Sequence, residues 1–312
     1  MPARKRLLIG GLILAGLAGC AAPEVSMPSI ASIDLAPSVT LASVPFHPQA
    51  ERDDCGPAAL AMMLGATGID TDPATIAPAV YTPGLEGTLQ SDIIQAARRA
   101  GRLALPISSL KDLLTELDAG RPVLVLQNLG IERWPVWHYA VAVGYDLDSS
   151  TLLLHSGREA RHATSFLAFE RTWQSSDRWG LTVTLPGELP STASEAEGLD
   201  AANGLEQAGE ADAAAAAYGA LLERWPESLP ALMGFSNARY AAGDIETAQQ
   251  AFRQAVALHP KAAEAWNNLA VTLKEGGRHA DAVRAAVEAV RLGGPNREIA
   301  LATLTELKDG AE

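Results

Sequence analysis

The 312-residue sequence predicts two structural units, an α+β domain in which helices pack on an antiparallel sheet and, after it, an all-α array of helix pairs. Two observations predict this division. Between about residues 42 and 185, helix-forming runs precede strand-like runs, an order typical of α+β domains. Between residues 195 and 295, Gly, Ala and aromatic positions recur every 34 residues, which is the pattern of a helical repeat.

Composition and charge exclude several classes of protein. The chain is 48% hydrophobic and 20% charged, as expected of a globular protein. Its net charge of -13 opposes binding to phosphate backbones, so we expect no nucleic-acid partner. Two cysteines, Cys20 and Cys55, are too few for a disulfide scaffold or a thiolate zinc cage. Because His47, His155 and His162 also lack the spacing of a metal-ligand set, we expect neither a metal nor a cofactor.

The first residues are typical of a signal peptide. Arg4-Lys5-Arg6 precedes an apolar run over residues 7–17, which is too short to span a bilayer. The run ends at Leu17-Ala18-Gly19-Cys20, which resembles the lipobox of bacterial lipoproteins. An ordinary signal peptide with an incidental cysteine is the alternative.

The lipobox resemblance implies that residues 1–19 are removed and that Cys20 is the lipid attachment point. Ala21 after the cysteine favours the outer membrane, with the protein facing the periplasm. Residues 20–41 are rich in Pro, Ser and Ala and are predicted to form a flexible tether. Since removal of the basic signal makes the chain still more acidic, acyl chains rather than charge must hold it at the membrane.

The α+β domain, residues 42–185, is predicted to begin with a helix. Cys55-Gly56-Pro57 leads into a run of strong helix formers that Gly65 ends, and Pro57 suits a first helical turn. Further helices are predicted over residues 73–79, 88–100 and 109–119. Strands are predicted over residues 122–127, 137–145, 151–154 and 179–184.

One thiol, one imidazole and one amide are the candidate catalytic groups. Cys55 opens a helix, where the dipole favours a thiolate. His138 lies near the start of a strand, and Gln49 lies six residues before the cysteine. A thiol nucleophile needs a base, and the oxyanion that forms on attack needs donors. A buried small cysteine and a structural histidine are the alternative interpretation. Trp134 and Trp137, before His138, are either cleft walls or core residues.

Three blocks of this domain resemble the double-glycine leader peptidases, which are papain-like cysteine peptidases. The blocks are Val44–Gln49, Asp54–Leu60 and His138–Asp146. The resemblance implies a papain-like fold with Cys55 as nucleophile, His138 as general base and then acid, and Gln49 as oxyanion donor. The best-known members are fused to export ATPases, but this sequence has no G-x-x-x-x-G-K-[ST] phosphate loop. The substrate class therefore does not transfer.

The sequence departs from that family at the group that orients the histidine. The relatives place an Asp after the next strand, whereas Ser156 stands at that place here. A hydroxyl can accept the imidazole N–H bond but has no charge to stabilise an imidazolium. We therefore predict Ser156 as a weaker orienting residue and Asp146 as the fallback acid.

The second half of the sequence resembles three tetratricopeptide repeats over residues 195–295, the first of them degenerate with Gly198 at a position usually bulky. Residues 186–194 are predicted as the linker and residues 296–312 as a C-terminal tail. The repeats imply a concave surface that binds a protein or peptide partner. The alternative is that the pattern arises by chance in an Ala-rich helical hairpin. His259 and His279 are predicted to be solvated residues without a functional role. The matching columns are Gly209, Gly243 and Gly277; Ala214, Ala248 and Ala282; and Tyr218, Phe252 and Ala286.

These observations predict an envelope-anchored cysteine peptidase that hydrolyses peptide bonds while its repeats recruit a protein or peptide partner. Amidase or transpeptidase activity would use the same residues, so the sequence does not separate them. The alternative from another class is a peptidase-like scaffold lipoprotein that has lost turnover and serves protein assembly.

Overall fold

The computed structural model describes residues 34–49, 54–82, 84 and 87–309. The predicted signal peptide, Cys20 and most of the predicted tether lie outside the described residues and stay predictions. Among the described residues, no helix is both long and apolar enough to cross a bilayer.

The first domain mixes helices and strands along the chain. Its strands are β1 (Ser38–Thr40), β2 (Tyr81–Thr82), β3 (Gly87–Thr88), β4 (Leu103–Ile107), β5 (Val123–Asn128), β6 (Trp137–Asp146), β7 (Thr151–Ser156), β8 (Glu159–Ser165) and β9 (Gly180–Thr184). Its helices are α1 (Cys55–Ala66), α2 (Pro73–Val80), α3 (Gln90–Arg99), α4 (Leu110–Asp118) and α5 (Phe166–Trp173), with a short 3-10 helix over Gln174–Ser176.

The main sheet is antiparallel and has the strand order β4-β9-β5-β6-β7-β8. β6 is its long central strand and pairs with β5 along its first half. β1 pairs with the last residues of β6, with Thr40 opposite Gly144. The predicted α+β class is confirmed.

Helices cover both faces of this sheet. α1 lies on one face, where every residue from Cys55 to Leu64 is buried, and packs against Tyr139, Val141 and Val143 of β6. α4 and α5 pack on the opposite face, against alternate residues of the same strand. β6 is thus buried on both sides, which explains its nearly continuous apolar sequence.

Several parts of the first domain differ from the prediction, among them the β2–β3 hairpin and β8, which were not predicted. The tether was predicted to extend to residue 41, but β1 belongs to the sheet and Val39 packs on the core. β4 was missed because Pro106 argues against a strand; β4 is an edge strand, where proline is tolerated. α5 was missed as well, so the order is not helices first and strands second.

The second half of the chain is an array of helices, as predicted. The helices are α6 (Glu195–Gln207), α7 (Ala211–Arg224), α8 (Leu229–Ala241), α9 (Ile245–Leu258), α10 (Ala263–Glu275), α11 (His279–Leu292) and α12 (Arg297–Asp309). Gly209, Gly243 and Gly277 end the first helix of each pair with φ values of +84°, +81° and +73°, where glycine is favoured. Most of the predicted C-terminal tail is the helix α12, which packs against α10 and α11.

Gly198, the irregular position of the first repeat, has a packing explanation. An added Cβ at this residue would lie 2.6 Å from a methyl carbon of Leu221 on α7. Only glycine lets α6 and α7 approach this closely, so the two helices of the first pair lie in close contact at Gly198.

The two halves share a hydrophobic core. Leu103 and Leu105 of β4 are buried against Ala201 and Leu205 of α6. The linker, residues 186–194, is held at this junction by Arg224, whose guanidinium donates to the carbonyl oxygens of Leu189 (3.3 Å), Pro190 (2.9 Å) and Ala193 (3.0 Å).

Candidate active site

Cys55 is the first residue of α1 and is almost completely buried, with 8% of its surface exposed. The helix N-terminus at Cys55 is closely packed, because an added Cβ at Gly56 would lie 2.3 Å from Oγ1 of Thr88. The glycine after the cysteine therefore lets Thr88, the last residue of β3, lie against the start of the helix. The unpaired N–H groups of such a helix start favour a negative charge on the thiol.

His138 and Ser156 are in direct contact. The Nε2 atom of His138 lies 2.9 Å from Oγ of Ser156. The two residues lie diagonally across the β6–β7 ladder and on the same face, within reach of each other. Burial lowers the pKa of His138 from its ordinary value of 6.5. With Nε2 engaged by Ser156, Nδ1 is the ring nitrogen available for proton transfer.

Gln49 is held beside the same turn. Its backbone N–H donates to the carbonyl oxygen of Gly157 at 3.0 Å, and its own carbonyl oxygen accepts from Nε of Arg158 at 3.4 Å. The side-chain Nε2 atom is buried and has no hydrogen-bond partner among the described residues. A buried amide donor without an acceptor is costly. An oxyanion donor must, however, have such a free N–H group before substrate is bound, and Nε2 of Gln49 meets this requirement among the described residues.

Tyr139 connects the cysteine with the histidine strand. It follows His138 on β6, and its hydroxyl donates to the carbonyl oxygen of Thr88 at 3.1 Å. Burial raises the pKa of Tyr139 strongly, and the negative charge that Cys55 can carry raises it further. The thiol is therefore close enough to β6 to interact electrostatically with the residue next to His138.

The other candidates lie elsewhere or have other partners. Asp146 is at the opposite end of β6, where its carboxylate accepts from the N–H and hydroxyl of Ser149, both at 2.7 Å. That position removes it as a fallback acid. Trp134 and Trp137 are 66% and 48% exposed, so they are surface residues and not core.

His155 is a structural residue, buried near Val44 and Phe46. Its Nδ1 accepts from the N–H of Arg161 at 3.1 Å, and its Nε2 lies 3.4 Å from the carbonyl oxygen of Val44. His162 lies 2.7 Å from a carboxylate oxygen of Glu159. In the described ranges, no three His, Cys, Asp or Glu side chains come together as a metal site.

Sequence reasoning missed Thr88 and gave Tyr139 no role. Thr88 was predicted to begin a helix, but it ends the β2–β3 hairpin, and α3 starts at Gln90. Its Oγ1 atom is buried and has no hydrogen-bond partner in the described part of the chain. The signal that could have indicated this contact was Gly56, because a glycine in a helical turn often marks a close neighbour.

Two family models match the chain. The Peptidase_C39 like family matches residues 41–179, and a tetratricopeptide repeat model matches residues 233–297. The fold and these matches define a peptidase-type α+β domain joined to a helical repeat. The first domain is similar to the Peptidase_C39 like family, and part of the helical second half is similar to tetratricopeptide repeats.

Several solved structures are similar to parts of the chain. A C39-like peptidase from Bacillus anthracis is 19% identical with a TM-score of 0.40, over 47% of this chain and 96% of that one. The type III secretion translocator chaperone SycD of Yersinia enterocolitica is 18% identical with a TM-score of 0.36, over 37% and 84%. The first TPR of Spaghetti (RPAP3), bound to an HSP90 peptide, is 16% identical with a TM-score of 0.36, over 38% and 92%. The comparison with curated proteins gives no match.

Proposed function

We propose that the chain is a cysteine peptidase that hydrolyses peptide bonds. In this proposal the Cys55 thiolate attacks the scissile carbonyl after His138 takes the thiol proton. Nε2 of Gln49 donates to the oxyanion, and His138 returns the proton to the leaving amine. Water, deprotonated by the same ring, then hydrolyses the thioester and frees Cys55.

One observation carries this proposal: a single turn, residues 156–158, supports both the base and the oxyanion donor. Ser156 contacts the His138 ring, and Gly157 holds the backbone of Gln49, whose buried Nε2 has no partner among the described residues. A structural histidine would have no need of an unsatisfied donor held at the same turn. The pairing of Cys55 with His138 is the part of the proposal that the chemistry must test.

The test uses the reactivity of a single thiol. In the full-length chain with Cys20→Ser, Cys55 is the one remaining cysteine. We expect iodoacetamide to alkylate it rapidly well below pH 8.5, the ordinary pKa of a thiol. Adding His138→Ala should move the alkylation profile toward that ordinary value. Equal profiles with and without His138 would show that the pair does not exist.

A second measurement tests turnover. A peptide library incubated with the full-length protein should yield new termini that Cys55→Ala abolishes. Loss of acid–base assistance in His138→Ala should lower turnover by about 10²–10⁴-fold. Cleavage that survives Cys55→Ala would come from another source and would reject the mechanism.

A peptidase-like scaffold is the second candidate, and Ser156 is the observation that favours it. The hydroxyl 2.9 Å from His138 supplies no negative charge to stabilise an imidazolium. The scaffold proposal predicts that Cys55 is alkylated with the ordinary thiol pKa of about 8.5 and that no peptide is cleaved. In either case we propose that the repeats bind a protein or peptide partner.

We also propose that Cys20 anchors the protein in the outer membrane, facing the periplasm. The support is the position of Cys20 directly after Leu-Ala-Gly at the end of the apolar run. Cys20→Ser should leave an unprocessed precursor or a released soluble protein. Unchanged partitioning of that variant into the detergent phase would contradict the anchor.

A further inference from the structure

Residues 129–137, which are the loop between β5 and β6 and the first residue of β6, carry a concentration of exposed apolar side chains. Single exposed apolar residues are normal on protein surfaces, but a contiguous group marks an interaction surface. We call this loop the apolar hairpin. Its exposed large side chains are Leu129 (53%), Ile131 (60%), Trp134 (66%), Val136 (36%) and Trp137 (48%).

The exposure is maintained by a formed backbone structure. Ile131 and Trp134 exchange two backbone hydrogen bonds, of 3.2 and 2.9 Å, around the turn at the tip. At the base, the N–H groups of Gly130 (3.0 Å) and Val136 (2.8 Å) donate to Oδ1 of Asn128. These bonds fix the backbone of the apolar hairpin, so its side chains do not simply collapse onto the sheet.

The chemistry of the apolar hairpin suits the surface of a bilayer. Tryptophan has an apolar ring and one polar N–H, and it concentrates at the boundary between acyl chains and headgroups. The Arg133 guanidinium lies over the Trp134 ring, 5.2 Å from its centroid. Arg161 lies on the neighbouring β7–β8 hairpin at the same end of the sheet. Arg133 and Arg161 can approach lipid phosphates, although Glu132 at the tip and the net charge of -13 act in the opposite direction.

We propose that the apolar hairpin inserts its side chains into the headgroup region of a phospholipid bilayer. A bilayer fits better than a bound peptide because Ile131 and Trp134, the two most exposed of these side chains, lie at the tip of a turn, whereas peptide ligands usually occupy a groove or pair with a sheet edge. The proposal does not depend on the reactivity of Cys55. Its consequence is that His138, which follows Trp137, would lie close to the membrane surface.

The length of the N-terminal chain is compatible with this orientation. β1 pairs with the far end of β6, so Ser38 lies about 30 Å from Trp137 along the strand, and Asp34 lies at most about 14 Å beyond Ser38. The 14 residues from Cys20 to Asp34 can extend up to about 48 Å. A lipid on Cys20 and the apolar hairpin could therefore enter the same bilayer.

A fluorescent label at the tip tests the proposal. In the chain from residue 20 onward, which lacks the apolar run at residues 7–17, Cys20→Ser and Cys55→Ser together with Trp134→Cys provide a single thiol for an environment-sensitive fluorophore. Ile299→Cys on α12 is the matched control, since Ile299 is 57% exposed and lies in the repeat region. Vesicles of phosphatidylethanolamine and phosphatidylglycerol, with bromine on the acyl chains, supply the membrane and the quencher.

We expect the label at position 134 to shift to shorter wavelength and to be quenched, while the label at position 299 changes little. The double variant Ile131→Ser, Trp134→Ser is made in the same chain with Cys20→Ser. Its affinity for vesicles should fall by about tenfold or more, because two large apolar side chains are lost. Equal responses at the two label positions would overturn the proposal. So would unchanged vesicle binding of the double variant together with a raised KM for peptides, which would assign the apolar hairpin to substrate binding.

Discussion

At the scale of single residues, burial of His138 sets the expected pH dependence. Burial disfavours the charged ring and lowers the pKa of His138 below 6.5, so the ring is neutral at pH 7 and can accept the thiol proton. As pH falls through the lowered pKa, the ring is protonated and the base is lost. We expect the acid limb of the kcat/KM profile to lie below pH 6.5. An acid limb at or above that value would contradict the role of burial.

The contact between Ser156 and His138 gives a second prediction. Ser156→Ala removes the 2.9 Å partner of Nε2 and should lower turnover about 10-fold, since the thiol and imidazole stay in place. Ser156→Asp should raise the pKa of His138, because an adjacent carboxylate stabilises the charged ring. An NMR titration of the ring checks the sign. An unchanged pKa in Ser156→Asp would mean that residue 156 does not act on the ring.

At the scale of elements, the sequence predicted the helix and the strand that carry the site. α1 has a proline in its first turn and strong helix formers after it, and β6 has a long run of β-branched and small residues, so local preference and burial agree. β1 and β4 could not be predicted in this way. β1 has only three residues, and β4 contains Pro106, which argues against a strand. β1 is stabilised by pairing with β6 and β4 by pairing with β9, and both partner strands are far away in the sequence.

The same limit applies to the candidate site. Cys55, His138 and Gln49 could be proposed from motif spacing, and Ser156 from its place after a strand. The neighbourhood of Thr88 and Tyr139 could not, because it depends on how the β2–β3 hairpin packs on the start of α1.

The turn glycines of the repeats give a prediction with an internal control. Gly243 has a φ of +81°, so Gly243→Ala should lower the free energy of unfolding by about 1 kcal/mol or more. Gly219 lies inside α7, where an added Cβ would meet only an ordinary contact, 3.7 Å from Phe235. Gly219→Ala should therefore stabilise the protein by up to about 1 kcal/mol. Denaturant melts of both variants check the opposite signs, and equal shifts would reject the explanation.

Trp266 has a smaller expected effect than full burial would give. Its Nε1 donates to the carbonyl oxygen of Pro260 at 3.1 Å, and its ring is only partly buried. Trp266→Ala should therefore cost less than the 3–5 kcal/mol typical of a buried tryptophan, at about 2 kcal/mol. A circular-dichroism melt measures the loss, and a cost of about 3 kcal/mol or more would contradict the partial burial.

At the scale of the whole molecule, the junction between the halves is a packed interface. Leu103 and Leu105 of the sheet edge contact α6, and Gly204 of α6 lies against Arg98, where an added Cβ would be 2.2 Å from the guanidinium carbon. Burial lowers the pKa of Arg98, and the nearby Asp200 acts in the opposite direction. The repeats thus cover side chains of the edge strand β4 that would otherwise be exposed apolar surface.

This junction predicts that the two halves unfold together. Leu205 of α6 is fully buried in the shared core, so Leu205→Ala should lower the free energy of unfolding by about 2–5 kcal/mol. Leu258 is the matched control, since it is 41% exposed at the end of α9, and Leu258→Ala should change stability by less than about 0.5 kcal/mol. Calorimetry should show a single thermal transition in the wild type, and Leu205→Ala should lower the midpoint temperature of that one transition without splitting it. Two separate transitions, of which Leu205→Ala lowers only the one that belongs to the helices of the repeat region, would show that the repeats fold without support from the sheet.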